Sequence, residues 1–333
     1  MRRKLMLWLL ALAALIAGAV AALWYLTLVP GRSHQGDLPP LTADERAIAA
    51  TLKRHIETVA AAEHNIAHYE ELEKVAAYLE KTLGSLGYAI GRQTYLADGK
   101  PVRNIDAVIE PVGGTLDPEV LVVGAHYDSA PDTPGANDNA SGTAAVLELA
   151  RLLRDLQGKT RKRIRLAFFV NEEPPYFRTA QMGSLHYARA LRDRKERVTA
   201  MLSLETLGYY SDEPGSQNYP VPFGLMFPNK GNFVSFVGLL NSRPLVQETI
   251  KSFRAHTAFP SIGGTAPGII PGIGWSDHWA FAEYGFQGVM ITDTATFRYP
   301  HYHEPTDTPD KVDTEKLARI VKGIERVVRD LAR

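Results

Sequence analysis

The sequence predicts an α/β domain built around a largely parallel sheet and preceded by one transmembrane helix. Three observations predict this fold. Short apolar runs rich in valine, such as "VLVV" at 120–123, are typical of strands buried on both faces. Patterns with apolar residues at helical spacing alternate with these runs along the chain. The amino-terminal stretch differs from both, because a long segment without charge follows its first basic residues.

The composition is that of an ordinary globular protein of 333 residues, of which 45% are hydrophobic and 22% charged. Lys plus Arg and Asp plus Glu number 37 each, so no net charge favours nucleic acid and we expect no nucleic-acid partner. The chain has no cysteine, which excludes disulfides, thiolate metal ligands and a cysteine nucleophile. This absence does not identify the compartment.

Residues 1–29 are predicted to be a signal anchor. No charge lies between Leu5 and Val29, and as a helix this stretch would extend roughly 37 Å, enough to cross a hydrocarbon core of ~30 Å with tilt. The basic "RRK" before it favours a cytoplasmic amino terminus, which places the rest on the periplasmic or extracytoplasmic side. A cleaved signal peptide is the alternative, because "AGAVAA" offers small residues for processing, but the apolar region is longer than is usual for one.

Residues 30–45, which include "PGRSHQGDLPP", are predicted to be a linker, and residues 46–333 a single domain. In that domain, "EELEKVAAYLEKTLGSLG" and "DTEKLARIVKGIERVVRDLAR" carry apolar residues at helical spacing, and Ser141 can cap a further helix. Strands are predicted in six segments: "RNIDAVIEP", "EVLVVGAHYD", "RIRLAFFVNEE", "VTAMLSLET", "FGLMFP" and "GVMITDT".

Polar side chains follow three of the apolar strands. His126 and Asp128 follow the first, Glu172 and Glu173 the second, and Glu205 the third. Sites form at the carboxyl ends of parallel strands, so these residues are expected to meet. Each fragment alone is weak evidence, since paired glutamates are usually solvated and "GANDNASG" could be a plain turn. Together, His, Asp and Glu without Cys suit zinc.

The loop that carries Asp138 adds a carboxylate that could bridge two metals, which need such a ligand when they lie ~3.5–4 Å apart. Asp128 lies two residues after His126, so it points to the same side of the strand and could orient the imidazole. One of the adjacent glutamates can bind metal while the other acts as general base.

The order of these motifs resembles the M28 family of zinc peptidases, which are di-zinc aminopeptidases related to glutaminyl cyclases. The matching motifs span about Val120 to Val312: H-x-D, "GANDNASG", "NEE", "GS", an acidic residue after the next strand, "SDHWAF" and "YHEPTDTPDKVD". The resemblance implies a three-layer, zinc-exopeptidase-like catalytic domain over residues 46–333, with a central, mostly parallel mixed sheet flanked by helices.

The resemblance also implies two zinc ions and five ligands, with one carboxylate shared. The expected ligands are His126, Asp138 and Glu205 for one zinc, and Asp138, Glu173 and His303 for the other.

Three further roles are implied. Glu172 is expected to be the general base, Asp128 the group that orients His126, and Asp277 in "SDH" a carboxylate beside the ligands. His301 competes with His303, but the "YHxPxDT" match favours His303 and leaves His301 at the rim.

Two features depart from the family pattern. Glu205 stands where the family most often has Asp, and Glu is one methylene longer. The segment "NEEPPYFRTAQMGS" is longer than usual, and we expect its extra residues, Pro174–Met182, to line the substrate pocket.

The resemblance implies a zinc metallopeptidase, expected to be an aminopeptidase that acts on the amino terminus of a peptide or protein. Two alternatives remain open: a glutaminyl-cyclase-like acyltransferase with one zinc, and a membrane-anchored module with a peptidase fold and no activity. The side-chain preference, and the choice between amino- and carboxypeptidase, are left open.

Overall fold

Eight strands form one mixed sheet in the structure, a computed structural model that describes residues 2–113 and 117–333. The strands are β1 (Ile90–Ala97), β2 (Lys100–Ile109), β3 (Val120–His126), β4 (Arg163–Phe169), β5 (Val198–Glu205), β6 (Val234–Leu239), β7 (Ser261–Ala266) and β8 (Gly288–Thr292). Their order across the sheet is β1-β2-β4-β3-β5-β8-β6-β7. The four central strands, β4, β3, β5 and β8, are parallel to one another.

Nine α-helices occur among the described residues. They are α1 (Arg2–Thr27), α2 (Ala43–Val59), α3 (Tyr69–Ser85), α4 (Gly142–Leu152), α5 (Gly183–Asp193), α6 (Arg243–His256), α7 (His278–Glu283), α8 (Ala295–Arg298) and α9 (Thr314–Leu331). The predicted α/β fold with one amino-terminal apolar helix is confirmed.

Strand β3 shows why the sheet needs helices on both faces. All seven of its residues are buried. Leu121 and Val123 pack into the larger core, which includes residues of α2, α3, α4 and α9. Val120 and Val122 point the other way, into a smaller core with residues of α5 and α7. Because successive side chains of a strand alternate between faces, a fully apolar strand is stable only between two helical layers.

The predicted helices at α3 and α9 are confirmed. Leu72, Val75, Ala76, Leu79 and Leu83 form the buried stripe of α3. In α9 the predicted stripe is likewise buried, and Asp313 caps the helix by accepting a hydrogen bond from the backbone N–H of Lys316.

Ser141 stands at the predicted cap position before α4, but its side chain makes no capping bond. Its hydroxyl donates to the carbonyl of Asn137 at 2.7 Å and accepts from the N–H of Leu207 at 2.9 Å. The hydroxyl therefore ties the preceding loop to the segment after β5 instead of capping the helix.

The strand predicted at "FGLMFP", residues 223–228, is wrong. Residues Phe223–Leu225 form one turn of 3₁₀ helix, and the N–H groups of Phe223 and Leu225 donate to the carbonyls of Pro220 and Pro222. Prolines remove ladder donors at the start of this run, and its apolar side chains contact one another instead of a sheet. The rings of Phe223 and Phe227, for example, stack at 6.3 Å.

Helix α1 is long and apolar enough to cross a membrane, with a span of 25 residues, Arg3–Thr27. The segment after it contacts the domain before α2 begins at Ala43. Arg254 donates to the carbonyls of Pro30 and Gly31 at 2.9 and 3.0 Å, and the N–H of Ser261 donates to the hydroxyl of Ser33. The residues predicted as a linker thus lie along α6 and β7.

Candidate metal centre

The polar side chains meet at the carboxyl ends of the central parallel strands. His126 is the last residue of β3 and Glu205 the last of β5, while Glu172 and Glu173 follow β4 closely. Strand β3 pairs in parallel with both β4 and β5, so the three carboxyl ends are neighbours. All four side chains are buried.

Two groups of side chains share the carboxylate of Asp138. In the first group, Nε2 of His126 lies 3.4 Å from Oδ1 of Asp138 and 3.4 Å from Oε2 of Glu205. In the second, Nε2 of His303 lies 3.1 Å from Oδ2 of Asp138 and 3.2 Å from Oε2 of Glu173. In each group three ligand atoms lie within 4.8 Å of one another. The structure therefore brings together all five residues proposed as metal ligands.

Glu172 lies on the side of His126, with Oε2 3.9 Å from Nε2 of that ring. It also forms a third cluster with His126 and Glu173 that could hold a metal. Burial raises the pKa of Glu172 well above its usual range, and the charges of Glu173 and Glu205 add to this effect. The charge of His126 opposes this effect, but burial outweighs it and favours the protonated carboxyl.

Asp128 contacts His126 through an atom that the sequence did not predict. Nδ1 of His126 lies 3.1 Å from the backbone carbonyl oxygen of Asp128, whereas its distance to the Asp128 carboxylate is 3.6 Å. The carboxylate instead accepts the N–H groups of Glu172 and Glu173, each at 3.1 Å. Asp128 thus fixes the ring through its main chain and the pair of glutamates through its side chain.

Glu205, which stands where Asp was expected, is held by hydrogen bonds through two serine hydroxyls. The hydroxyl of Ser276 donates to Oε2 of Glu205 at 2.7 Å and lies 2.9 Å from the hydroxyl of Ser203. Burial raises the pKa of Glu205 to about 8. The longer side chain still reaches His126, so Glu can occupy this position without breaking the group.

Asp277 precedes α7 and is fully buried. Burial raises the pKa of its carboxyl to about 7, against the charge of His126, which lowers it. The effect of His126 on this pKa agrees with a position of Asp277 beside the ligands, and that role stays a prediction. His301, by contrast, lies 2.7 Å from the hydroxyl of Thr306 and belongs to none of the three candidate metal clusters in the described residues.

Asp307 is a site residue whose role the sequence did not reveal. Its two carboxylate oxygens accept the N–H groups of Asn137 and Asp138 at 2.8 and 3.0 Å, and the hydroxyl of Tyr299 donates to it at 2.7 Å. These bonds fix the backbone of the loop that presents Asp138. The only sign in the sequence is that Asp307 lies within the "YHEPTDTPDKVD" motif.

We expect Asp307→Asn to weaken metal binding and to lower the free energy of unfolding by about 1–3 kcal/mol. An amide offers one acceptor where the carboxylate offers two, so one buried N–H of the loop loses its partner. Zinc titration and thermal unfolding measure the two effects. Asp310→Asn is the control, because that carboxylate is exposed and, within the described part of the chain, its side chain bonds to Thr308 and Lys311 alone. Equal zinc affinity in both variants would contradict the role given to Asp307.

The charge of the cluster fits divalent metal. Among the described residues, no Lys or Arg forms an ion pair with the carboxylates of Asp138, Glu172, Glu173 or Glu205. Among the five proposed ligands, three buried atoms have no hydrogen-bond partner: Oδ1 of Asp138, Oε1 of Glu173 and Nε2 of His303. Buried charges are normally paired or bound to metal, so imidazole nitrogens and carboxylate oxygens in this arrangement suit zinc.

A mainly apolar pocket of about 110 Å³ adjoins the cluster at Glu205 and Tyr302. Tyr219, Phe223 and Phe227 line it from the turn after β5, and Ile262 and Trp275 line it from β7 and the segment that follows. The Gly- and Pro-rich segment after Pro260 is therefore part of its wall.

The loop Pro174–Met182, which was expected to line the pocket, does not supply any of the described pocket residues. Arg178 instead donates to the carbonyl of Gly274 and lies over the Trp279 ring at 4.8 Å. Tyr176 bonds to Asp98 in the β1–β2 turn. These contacts hold the loop against neighbouring surface segments, and its expected part in lining the substrate pocket stays a prediction.

A sequence model of peptidase family M28 matches residues 104–328. The uncharacterized protein YfbL of Escherichia coli K12 is 38% identical over 264 residues, which cover 77% of this chain and 79% of YfbL. Aminopeptidase YwaD of Bacillus subtilis 168 is 31% identical over 205 residues, covering 60% of this chain and 38% of the enzyme. The chain thus spans less than half of the Bacillus protein.

Solved structures share the fold. The aminopeptidase of Aneurinibacillus sp. strain AM-1 has a TM-score of 0.67 at 18% identity, covering 87% of this chain and 96% of that one. BSAP, a zinc aminopeptidase from Bacillus subtilis, has a TM-score of 0.55 at 26% identity, covering 71% and 51%. A glutaminyl cyclase of Fimbriiglobus ruber has a TM-score of 0.63 at 18% identity, covering 91% and 99%.

Proposed function

Because the chain belongs to peptidase family M28, we propose that it is a membrane-anchored, zinc-dependent metallopeptidase that acts as an aminopeptidase. The observation that carries the proposal is the buried cluster in which Asp138 is shared by two ligand groups. The relatives named aminopeptidases support the activity, and the donor set of imidazoles and carboxylates supports zinc. Loss of a ligand or of the glutamate pair would be the sequence sign of an inactive module, and all of these residues are present.

Two zinc ions per chain fit the cluster. His126, Asp138 and Glu205 would hold one, and Asp138, Glu173 and His303 the other. When bound, zinc lowers the pKa of water and polarises the carbonyl of the scissile bond. The Asp138 loop and the main chain of Asp128 hold ligands in place before metal arrives, which reduces the cost of ordering them.

Glu172 is proposed to take a proton from the attacking water and to pass it to the leaving amine. Its main chain is fixed by Asp128, and its side chain lies beside His126 without belonging to either of the two proposed ligand groups. Burial favours the protonated carboxyl, whereas the charge of bound zinc would favour the carboxylate, so Glu172 would start as a base in the loaded protein and could hold the proton between the two steps.

Residues 1–29 are proposed as an uncleaved anchor, 30–45 as a connector and 46–333 as the catalytic domain, on the extracytoplasmic side. The side chains of α1 from Arg3 to Ala22 are exposed, which supports contact with lipid. The basic residues at its start support a cytoplasmic amino terminus.

The substrate is proposed to be a peptide with a free amino terminus, whose first side chain enters the apolar pocket beside Glu205. The test uses the full chain loaded with zinc and matched peptides with free or acetylated amino termini, and mass spectrometry identifies the products. We expect only the free peptides to lose their first residue, and a chelator to abolish this loss until zinc is restored.

Two other outcomes would overturn the proposal. Cyclisation of an amino-terminal Gln without release of an amino acid would indicate a glutaminyl cyclase. No product from any peptide by the zinc-loaded chain would indicate a module without activity.

A further inference from the structure

The end of α1 belongs to the wall of the pocket that adjoins the metal cluster. Thr27, the last residue of α1, lines the same pocket as Glu205. The last turn of α1 packs on the edge strand β7, since a Cβ added to Gly264 would meet the carbonyl oxygen of Leu26 at 2.9 Å. The proposed anchor therefore reaches the substrate pocket directly.

The contacts after α1 hold the domain to the helix. Arg243 donates to the carbonyl of Tyr25 at 3.1 Å, and its guanidinium lies 3.8 Å from the centre of the Tyr25 ring. Gln247 donates to the carbonyl of Leu28. With the bonds of Arg254 to Pro30 and Gly31, these contacts leave no free spacer between helix and domain.

The length of α1 fixes where its end lies. Its 25-residue span measures roughly 37 Å at 1.5 Å per residue, against a hydrocarbon core of ~30 Å. Nearly the whole helix is needed to cross, so its last turn, with exposed Trp24 and Tyr25, lies at the outer membrane–water interface. The pocket that Thr27 lines is then at that interface too.

Two surface loops beside the pocket expose large apolar side chains. Val221 and Leu225, in the turn that contributes Phe223 to the pocket, are 92% and 86% exposed. Ile269, in the segment that joins β7 to the pocket residue Pro271, is 90% exposed. Both loops contribute residues to the same pocket, so these exposed apolar side chains lie at one end of the molecule, where a surface could meet a membrane.

We propose that the loops around Val221, Leu225 and Ile269, named here the pocket-rim loops, insert into the outer leaflet of the bilayer that α1 spans. The bilayer is the occupant because α1 brings it to the pocket, and the rim loops border that same pocket. In this arrangement peptides enter the site along the membrane surface. The inference rests on the proposed anchoring of α1 and not on the proposed peptidase activity.

The test measures the depth of single labels in vesicles. The chain has no cysteine, so each introduced cysteine gives one label site. The full-length variants Leu225→Cys and Ile269→Cys are labelled with an environment-sensitive fluorophore. They are reconstituted in phosphatidylcholine–phosphatidylglycerol vesicles that carry nitroxide groups at shallow acyl positions. We expect quenching and a blue shift of emission at both sites.

Two further variants make the outcomes decisive. Leu96→Cys is the matched control, because Leu96 is 69% exposed and lies on β1, at the opposite edge of the sheet from β7. Leu15→Cys, at the middle of α1, reports whether α1 is in the bilayer, and it is measured in matched vesicles whose nitroxide groups lie deep in the acyl chains. If the Leu15 label is quenched but the labels at Leu225 and Ile269 are no more quenched than the label at Leu96, then α1 spans the bilayer and the pocket-rim loops do not insert. This outcome would overturn the inference and leave the anchor intact. An unquenched label at Leu15 would overturn the anchor and the inference with it.

Discussion

Replacing Glu172 by Gln is expected to lower the rate of peptide hydrolysis by about 10²–10⁴-fold while zinc content stays close to that of the unchanged protein. Gln has nearly the same shape as Glu but cannot take a proton from the attacking water. The loss should appear in kcat, because the side chain acts on the reaction and not on substrate binding. Steady-state kinetics and metal analysis of the same preparation measure both quantities.

The neighbouring Glu173 provides the matched comparison. Both residues follow β4, both backbone N–H groups donate to Asp128, and both side chains are buried. Glu173→Gln is expected to lose zinc as well as activity, since the Glu173 carboxylate lies 3.2 Å from Nε2 of His303. If Glu172→Gln lost zinc to the same extent, Glu172 would be a ligand, and near-normal hydrolysis would exclude it as the base.

The four central strands of the sheet could be predicted, because their amino-acid composition indicates that they are buried on both faces. Strands β3, β4, β5 and β8 are short apolar runs, which need cover on both faces, and their parallel order places polar residues at one edge. The peripheral strand β7 could not be predicted in the same way. Its sequence "SIGGTA" has two glycines and reads as a loop, and only its pairing with β6 makes it a strand.

The candidate ligands could be proposed from the sequence, but their supports could not. The segment "DTPDKVD" contains three aspartates that look alike in composition. Asp307 is buried and holds the Asp138 loop, Asp310 is exposed, and Asp313 caps α9. The role of each carboxylate depends on the backbone N–H groups that reach it in the fold, such as that of Asp138. These donors can be far away in the chain, so the local sequence does not indicate them.

The segment after α1 shows the same limit. Its proline and glycine content predicts a linker, and local composition supports no other reading. Its position along the domain depends on Arg254, more than 200 residues away in the chain, which donates to the carbonyls of Pro30 and Gly31. Backbone carbonyls can accept such bonds from any residue type, so the sequence of the segment cannot indicate them.

Replacing Asp138 by Asn is expected to remove both zinc ions, whereas Glu205→Gln and Glu173→Gln should each remove one. Oδ1 of Asp138 lies in the group of His126 and Oδ2 in the group of His303, so both groups depend on one carboxylate. Asn removes the negative charge and turns a donor NH₂ toward one of the two groups. Zinc per chain, measured after dialysis against a buffered low zinc concentration, gives the stoichiometry.

Asp132→Asn is the control for the shared role of Asp138, because Asp132 is exposed in the same connection between β3 and α4. It has a positive φ of 61°, which Asn adopts readily, so this change should leave zinc content and unfolding temperature unaltered. Thermal unfolding of the apo proteins separates loss of ligand from loss of fold, since an isosteric change at Asp138 should leave the apo protein folded. Retention of one zinc at unchanged affinity in Asp138→Asn would show that only one of the two groups depends on this carboxylate.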